Sequence, residues 1–104
     1  MTKTTIIQLA PLVGEFAENK DTAKAIRIKQ VLPALERGER VVLDFTGVGS
    51  ATQSFTHALI SDVIRKESID VLDRIDFKNC NAVVRGVVQI VVEYMQDATS
   101  AKNP

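Results

Sequence analysis

The chain predicts an α/β fold, a small and mainly parallel sheet with helices packed on it, in the order β-α-β-α-β-α. Three observations carry that expectation. Short apolar or β-branched runs at 4–9, 40–45 and 74–77 alternate with longer segments whose apolar residues recur at helical spacing. The middle run, RVVLDF, is almost continuously apolar, as expected of a parallel strand covered on both faces. Regular alternation of strand and helix in turn implies parallel pairing through right-handed crossovers.

The elements follow in order. TTIIQL, 4–9, reads as a strand ended by Pro11. Leu12 to Lys20, with Gly14 and a polar finish, reads as an irregular link holding at most a short extended piece at 12–16. Asp21 to Arg37 reads as a helix with Asp21 as its cap and with Ala25, Ile28, Leu32 and Leu35 on the inner face. Pro33 falls late in that pattern, so a kink or a restarted last turn is expected there, with Gly38 closing the helix. Lys20, Lys24 and Arg27 mark another face, read as solvated rather than as a site for an acidic partner.

The strand at 40–45 leads into a loop, Thr46 to Gln53, and then a helix, Ser54 to Lys66, with Phe55, Ala58, Leu59 and Val63 inward. After a connection at 67–73, RIDF makes the third strand, and Asn79 or Asn81 caps a last helix, 81–96. That helix is valine-rich and could pass for strand. Its polar residues, however, fall at Asn81, Arg85, Gln89 and Glu93, an i+4 stripe that one helix edge produces and a strand does not. The rest of its circumference is apolar, so it is either deeply buried or committed in part to a partner. Residues 1–97 thus read as one domain and 98–104 as a small disordered tail.

Composition narrows the function classes. The 104 residues carry thirteen basic and thirteen acidic side chains, so no bulk field draws the chain to nucleic acid or an anionic membrane. Four Phe, one Tyr and no Trp are few for a protein that stacks bases. A single cysteine, Cys80, allows no internal disulfide and fits a reducing cytosol. The N-terminus lacks the apolar run of a signal peptide, and the stretch at 83–95 is too short and too polar to span a bilayer. A cytoplasmic protein without membrane contact is expected.

The strand–loop–helix at 41–60, VVLDFTGVGSATQSFTHALI, is where open α/β sheets place their sites. It offers hydroxyls and backbone amides. It presents no metal-ligand set and no nucleophile paired with a base, so neither metal nor cofactor is expected. Ser54 is suited to cap the helix, and a phosphate there would lie beside free amides. Asp44, near the end of an apolar strand, should accept bonds from loop groups such as Thr46 or Thr52, acting as a structural anchor; one nearby carboxylate is a thin basis for magnesium. Gly47 and Gly49 match neither phosphate-loop spacing and suit turns. His57 lies one helical turn from Ser54 with no third member of a catalytic set, and a solvent-facing position is expected. Cys80 precedes a helix start, a position that can lower a thiol pKa, although a lone cysteine without a motif is usually just small and apolar.

The segment Leu43-Asp44-Phe45-Thr46-Gly47-Val48, followed by a short loop and Ser54 at a helix start, resembles the STAS domain found in bacterial anti-sigma-factor antagonists and at the ends of sulfate transporters. The antagonist pattern runs roughly LDLSGV, a few residues, then Asp-Ser-Ser-Gly and an apolar helix. Counted from Leu43, Ser54 falls on the serine that a partner kinase phosphorylates in those proteins, while Thr52, Gln53 and Phe55 stand at their Asp, first Ser and Gly. A STAS-like branch of short bacterial proteins is nearer, with Asp-Phe ending the strand, Ser-Phe opening the helix, LPAL late in the preceding helix and an ID-F-N strand before a valine-rich helix. The resemblance covers about residues 12–95.

It implies a non-enzymatic regulatory module that binds a protein partner, a histidine-kinase-like ATPase, through the loop–helix at 46–66, with Thr46, Ser50, Thr52, Gln53, Ser54 and His57 as candidate contacts and Ser54 as a candidate phosphorylation site. Two other functions follow from the residues. One is a structural subunit, such as a homodimer, that self-associates through the valine-rich helix. The other is a small enzyme or nucleotide binder using Asp44, Ser54 and His57.

Overall fold

A computed structural model of the chain describes residues 3–67 and 69–100. Strand β1 (Thr4–Gln8) is followed by a single helical turn, α1 (Ala10–Val13), and a two-residue strand, β2 (Phe16–Ala17). Pro11 therefore opens a turn where the sequence predicts only the end of a strand: in the first turn of a helix its missing N–H costs nothing. The extended piece expected at 12–16 falls instead on β2.

A long helical stretch comes next: α2 (Lys20–Ile26), a π-helical turn (Arg27–Val31) and α3 (Leu32–Glu36). Asn19, not Asp21, caps it, its side chain accepting from the amides of Asp21 and Thr22. The wide turn closes with the amide of Leu32 bonded to the carbonyl of Arg27 and stands immediately before Pro33, whose ring and absent N–H forbid the regular i→i−4 pattern. One extra residue in that turn shifts the inner face. Ala23 and Ile26 are continued by Val31, Ala34 and Leu35, while Ile28, expected inside, is 49% exposed. At the end, Gly38 (φ 78°) supports a Schellman motif, with Gly38 N–H on Leu35 and Glu39 N–H on Ala34.

Strand β3 (Arg40–Asp44) leads through a loop containing β4 (Ser50–Ala51) into α4 (Gln53–Glu67). A 3-10 turn (Ile69–Arg74), β5 (Ile75–Lys78) and α5 (Ala82–Ser100) complete the chain. Asn81 caps α5, its carboxamide oxygen accepting from the amide of Val84. Asn79 sits two residues earlier in the left-handed region (φ 60°). Helix α5 runs to Ser100, into the segment expected as a disordered tail, whose last four residues, 101–104, lie outside those described. Asn81, Arg85, Gln89 and Glu93 are all exposed, as their spacing on one helix edge requires.

The main sheet is parallel throughout, in the order β1-β3-β5, with Ile7, Leu43 and Phe77 in one row and Ile6, Val42 and Asp76 in the next. The chain steps twice in the same direction, so two right-handed crossovers put both helical connections on one face. Burial follows. Ile7, Val41, Leu43 and Ile75 enter the core, whereas Thr4, Ile6, Gln8 and Arg40 face outward, with Ile6 64% exposed. The sheet is therefore covered on one face rather than two. Val42 is buried on the open side, in register between Ile6 and Asp76, and Arg40 pairs with Asp76 at 2.9 Å beside it. This explains why β3 reads as continuously apolar.

Candidate functional site

The loop from β3 to α4 is held at both ends. At the strand end, one oxygen of the half-buried Asp44 accepts from the Thr46 amide (3.0 Å), the Thr46 hydroxyl (2.6 Å) and the Asn79 side-chain amide (3.0 Å). These donors, the Thr46 hydroxyl first, hold the carboxyl below its ordinary pKa. Asp44 thereby joins the ends of β3 and β5. Gly47 turns the chain at φ 87°, and a Cβ there would lie 3.1 Å from the Ala10 methyl, so its freedom is both conformational and steric.

Beyond it, β4 pairs in parallel with β2 as a separate two-stranded sheet, Phe16 opposite Ser50 and Ala17 opposite Ala51. The carbonyl of Glu15 accepts from the amides of Gly49 and Ser50, and that of Ala17 from Thr52. From the other side the Asn81 side chain donates to the carbonyl of Gly49 at 2.9 Å. A loop that reads as glycines and hydroxyls is thus tied to three elements.

The cap of α4 is Thr52, not Ser54. The Thr52 hydroxyl accepts from the Phe55 amide at 3.0 Å, and its carbonyl receives both the amide and the hydroxyl of Thr56. The helix begins one residue earlier than its sequence suggests, at Gln53. Phe55 is fully buried and fixes the first turn to the core. Ser54 is left in that turn, exposed and with no capping duty, at a helix end whose first amides have no intrahelical acceptor.

Gln53, Ser54 and His57 line an open groove of about 460 Å³, together with Lys20 from the start of α2, Ala58 from α4, and Ile90, Val91 and Tyr94 from α5. His57 is half-buried rather than solvent-facing, because its ring leans on Tyr94, with centroids 6.1 Å apart and planes inclined at 60°. Of the candidate contacts, Gln53, Ser54 and His57 are brought together on this groove. Thr46 is bound to Asp44 at the far end of the loop, Ser50 lies in β4, and Thr52 is occupied by capping.

Ile90 and Tyr94 are not singled out by the sequence, and Lys20, read there as part of a solvated face, stands on the groove lining instead. The available signal was the polar stripe of the last helix, which leaves Ile90 and Tyr94 off both the polar edge and the core-facing edge.

Two further expectations change. Arg27 belongs to the interior: it is 7% exposed, donates to the carbonyl of Ala58 at 2.7 Å and pairs with Asp62 at 3.1 Å, joining the π turn to α4. Cys80 is shifted upward rather than downward, since partial burial raises its thiol pKa against the weaker pull of Arg85. Among the described residues no group of three or more His, Cys, Asp or Glu could hold a metal ion, and no helix is long and apolar enough to cross a membrane.

A small parallel sheet with helices on one face, and a strand-end loop feeding an exposed hydroxyl at a helix start, define a compact α/β module of the STAS-like class. The model of one family, described as the STAS-like domain of unknown function (DUF4325), matches residues 22–85, and the chain belongs to that family. No curated protein and no solved structure matches the chain.

Proposed function

We propose that the chain is a non-enzymatic regulatory module that binds a protein partner through the first turns of α4 and the groove beside them, and that phosphorylation of Ser54 ends the binding. The observation that carries this is the position of Ser54: exposed, free of the capping role that Thr52 fills, and on the rim of a groove with apolar and cationic walls. In the resemblance to anti-sigma-factor antagonists, the same residue falls on their phosphorylated serine. A phosphate at this point is tolerated by the helix end, so the modification changes the surface without unfolding the domain. The resemblance also makes a histidine-kinase-like ATPase the expected partner.

The test is co-purification from the native host with wild-type, Ser54→Ala and Ser54→Asp chains, followed by intact-mass measurement after incubation with the ATPase recovered. The proposal expects a partner retained by the first two and lost by the third, and a gain of one phosphate that Ser54→Ala abolishes. The same proteins recovered with all three chains, or a phosphate still gained by Ser54→Ala, would contradict it. A second function, self-association through α5, is favoured by the exposure of Val83, Ile90 and Tyr94. Light scattering decides it, since a monomer at high concentration removes it.

A further inference from the structure

Helix α5 carries an apolar track that the core does not use. Val83, Val87, Ile90 and Tyr94 recur at spacings of four, three and four residues, which places them on one side of the helix, next to the buried line of Val84, Val88, Val91 and Met95. Val83, Ile90 and Tyr94 are 58%, 51% and 61% exposed. The track is about 16 Å long, close to three helical turns. Its C-terminal half forms one wall of the groove at Ser54, where Tyr94 is braced by the His57 ring. Among the described residues lining that groove, Lys20 is the one that carries a fixed charge, and no carboxylate stands beside it on the lining. The amino-terminal end of α4 adds positive potential of the same sign.

We infer that this surface receives an amphipathic helix of a partner protein, with aliphatic residues laid along Val83–Tyr94 and a carboxylate at the end that reaches Lys20. Helix-in-groove docking needs an apolar strip of this length with a few spaced anchors, and the charge at the Tyr94 end selects an acidic partner over a basic one. The inference rests on the partner-binding function proposed above and supplies a reason for its switch. A phosphate on Ser54 would set a near-dianion beside Lys20, neutralising the attraction and repelling the incoming carboxylate.

The experiment is a selection from random 16-residue helix-forming peptides against the full chain, run in parallel against the full Lys20→Glu chain. Wild type should enrich aliphatic residues at i, i+4 and i+7 together with Asp or Glu at one end, and Lys20→Glu should lose the acidic enrichment. The best peptide should bind about tenfold more weakly to Lys20→Glu and to Tyr94→Ala, both exposed positions whose replacement leaves thermal unfolding unchanged.

Recovery of no binder, equal acidic enrichment against both chains, or a dimer of the chain that covers Val83–Tyr94 would overturn the inference. Peptides that perturb the amides of residues 46–58 without any dependence on Lys20 would overturn it and leave the broader partner-binding proposal standing. Peptides that perturb only the open face of the sheet would overturn both.

Discussion

Two neighbouring hydroxyls, Thr52 and Ser54, divide the work at the start of α4. Thr52 satisfies the helix end and Ser54 faces the groove, so their removal should have different consequences for stability. Thr52→Ala should cost about 1 kcal/mol in urea-induced unfolding, the usual worth of a lost cap, whereas Ser54→Ala should stay within about 0.5 kcal/mol. Equal losses would mean that Ser54 shares the capping role.

That division was only half legible in the sequence. TQSF contains two good caps within three residues, and the choice depends on where β4 releases the chain, which is set by the bond from the Thr52 amide to Ala17, thirty-five positions back. Asp44 was more legible, because a carboxylate ending an apolar strand must find donors. Thr46 was evident as one of them, but Asn79, arriving from the end of β5, was not.

Among the elements, α5 was the most legible and the long helical stretch at 20–36 the least. An unbroken i+4 polar stripe survives any tertiary context, and it held. In the earlier helix the extra residue of the π turn changes the phase midway, so a single periodic face drawn through Ala25, Ile28, Leu32 and Leu35 crosses from one register to another. The same turn carries Arg27 inward, which no local pattern signals, because its partners Ala58 and Asp62 lie a helix away.

Arg27→Ala should therefore destabilise the domain by about 2–3 kcal/mol, toward the low end for a buried ion pair because Asp62 is 39% exposed on its side chain. Arg27→Met, which fills the space without the charge, should recover a large part of that loss. Chemical denaturation of the two variants is the check. A fully exposed Arg27 would make both neutral.

At the scale of the whole molecule, the one-sided sheet follows from strand order, which the sequence left open; the continuously apolar β3, taken as a sign of cover on both faces, is equally compatible with helices on one. On the open face Arg40 pairs with Asp76 and holds its carboxyl below its ordinary pKa. Nearby, Glu39 ties the turn before β3 to β1, accepting from Arg37 at 2.7 Å and from the hydroxyl of Thr5. The Arg37 bond, then that of Thr5, pulls its pKa from 4.5 down to about 2. A carboxyl whose folded pKa is depressed contributes its full stability above the ordinary value and loses it as pH falls toward the folded one. Unfolding free energy should thus be flat near neutrality and decline from about pH 4.5 toward pH 2, with Asp44 and Asp76 adding to the same slope. Glu39→Gln should be less stable than wild type at neutral pH and show a shallower decline, which urea titrations at several pH values would reveal.

The central claim is that partner recognition belongs to the helical side of the molecule, at the groove between α4 and α5, and not to the open sheet. Hydrogen–deuterium exchange on the full chain, with and without the partner recovered from its host, tests this most directly. Slowed exchange at 53–58 and 90–94, with the sheet strands unchanged, is the predicted result. Protection confined to β1 and β5, with the amides around Ser54 and Tyr94 exchanging as in the free chain, would contradict it.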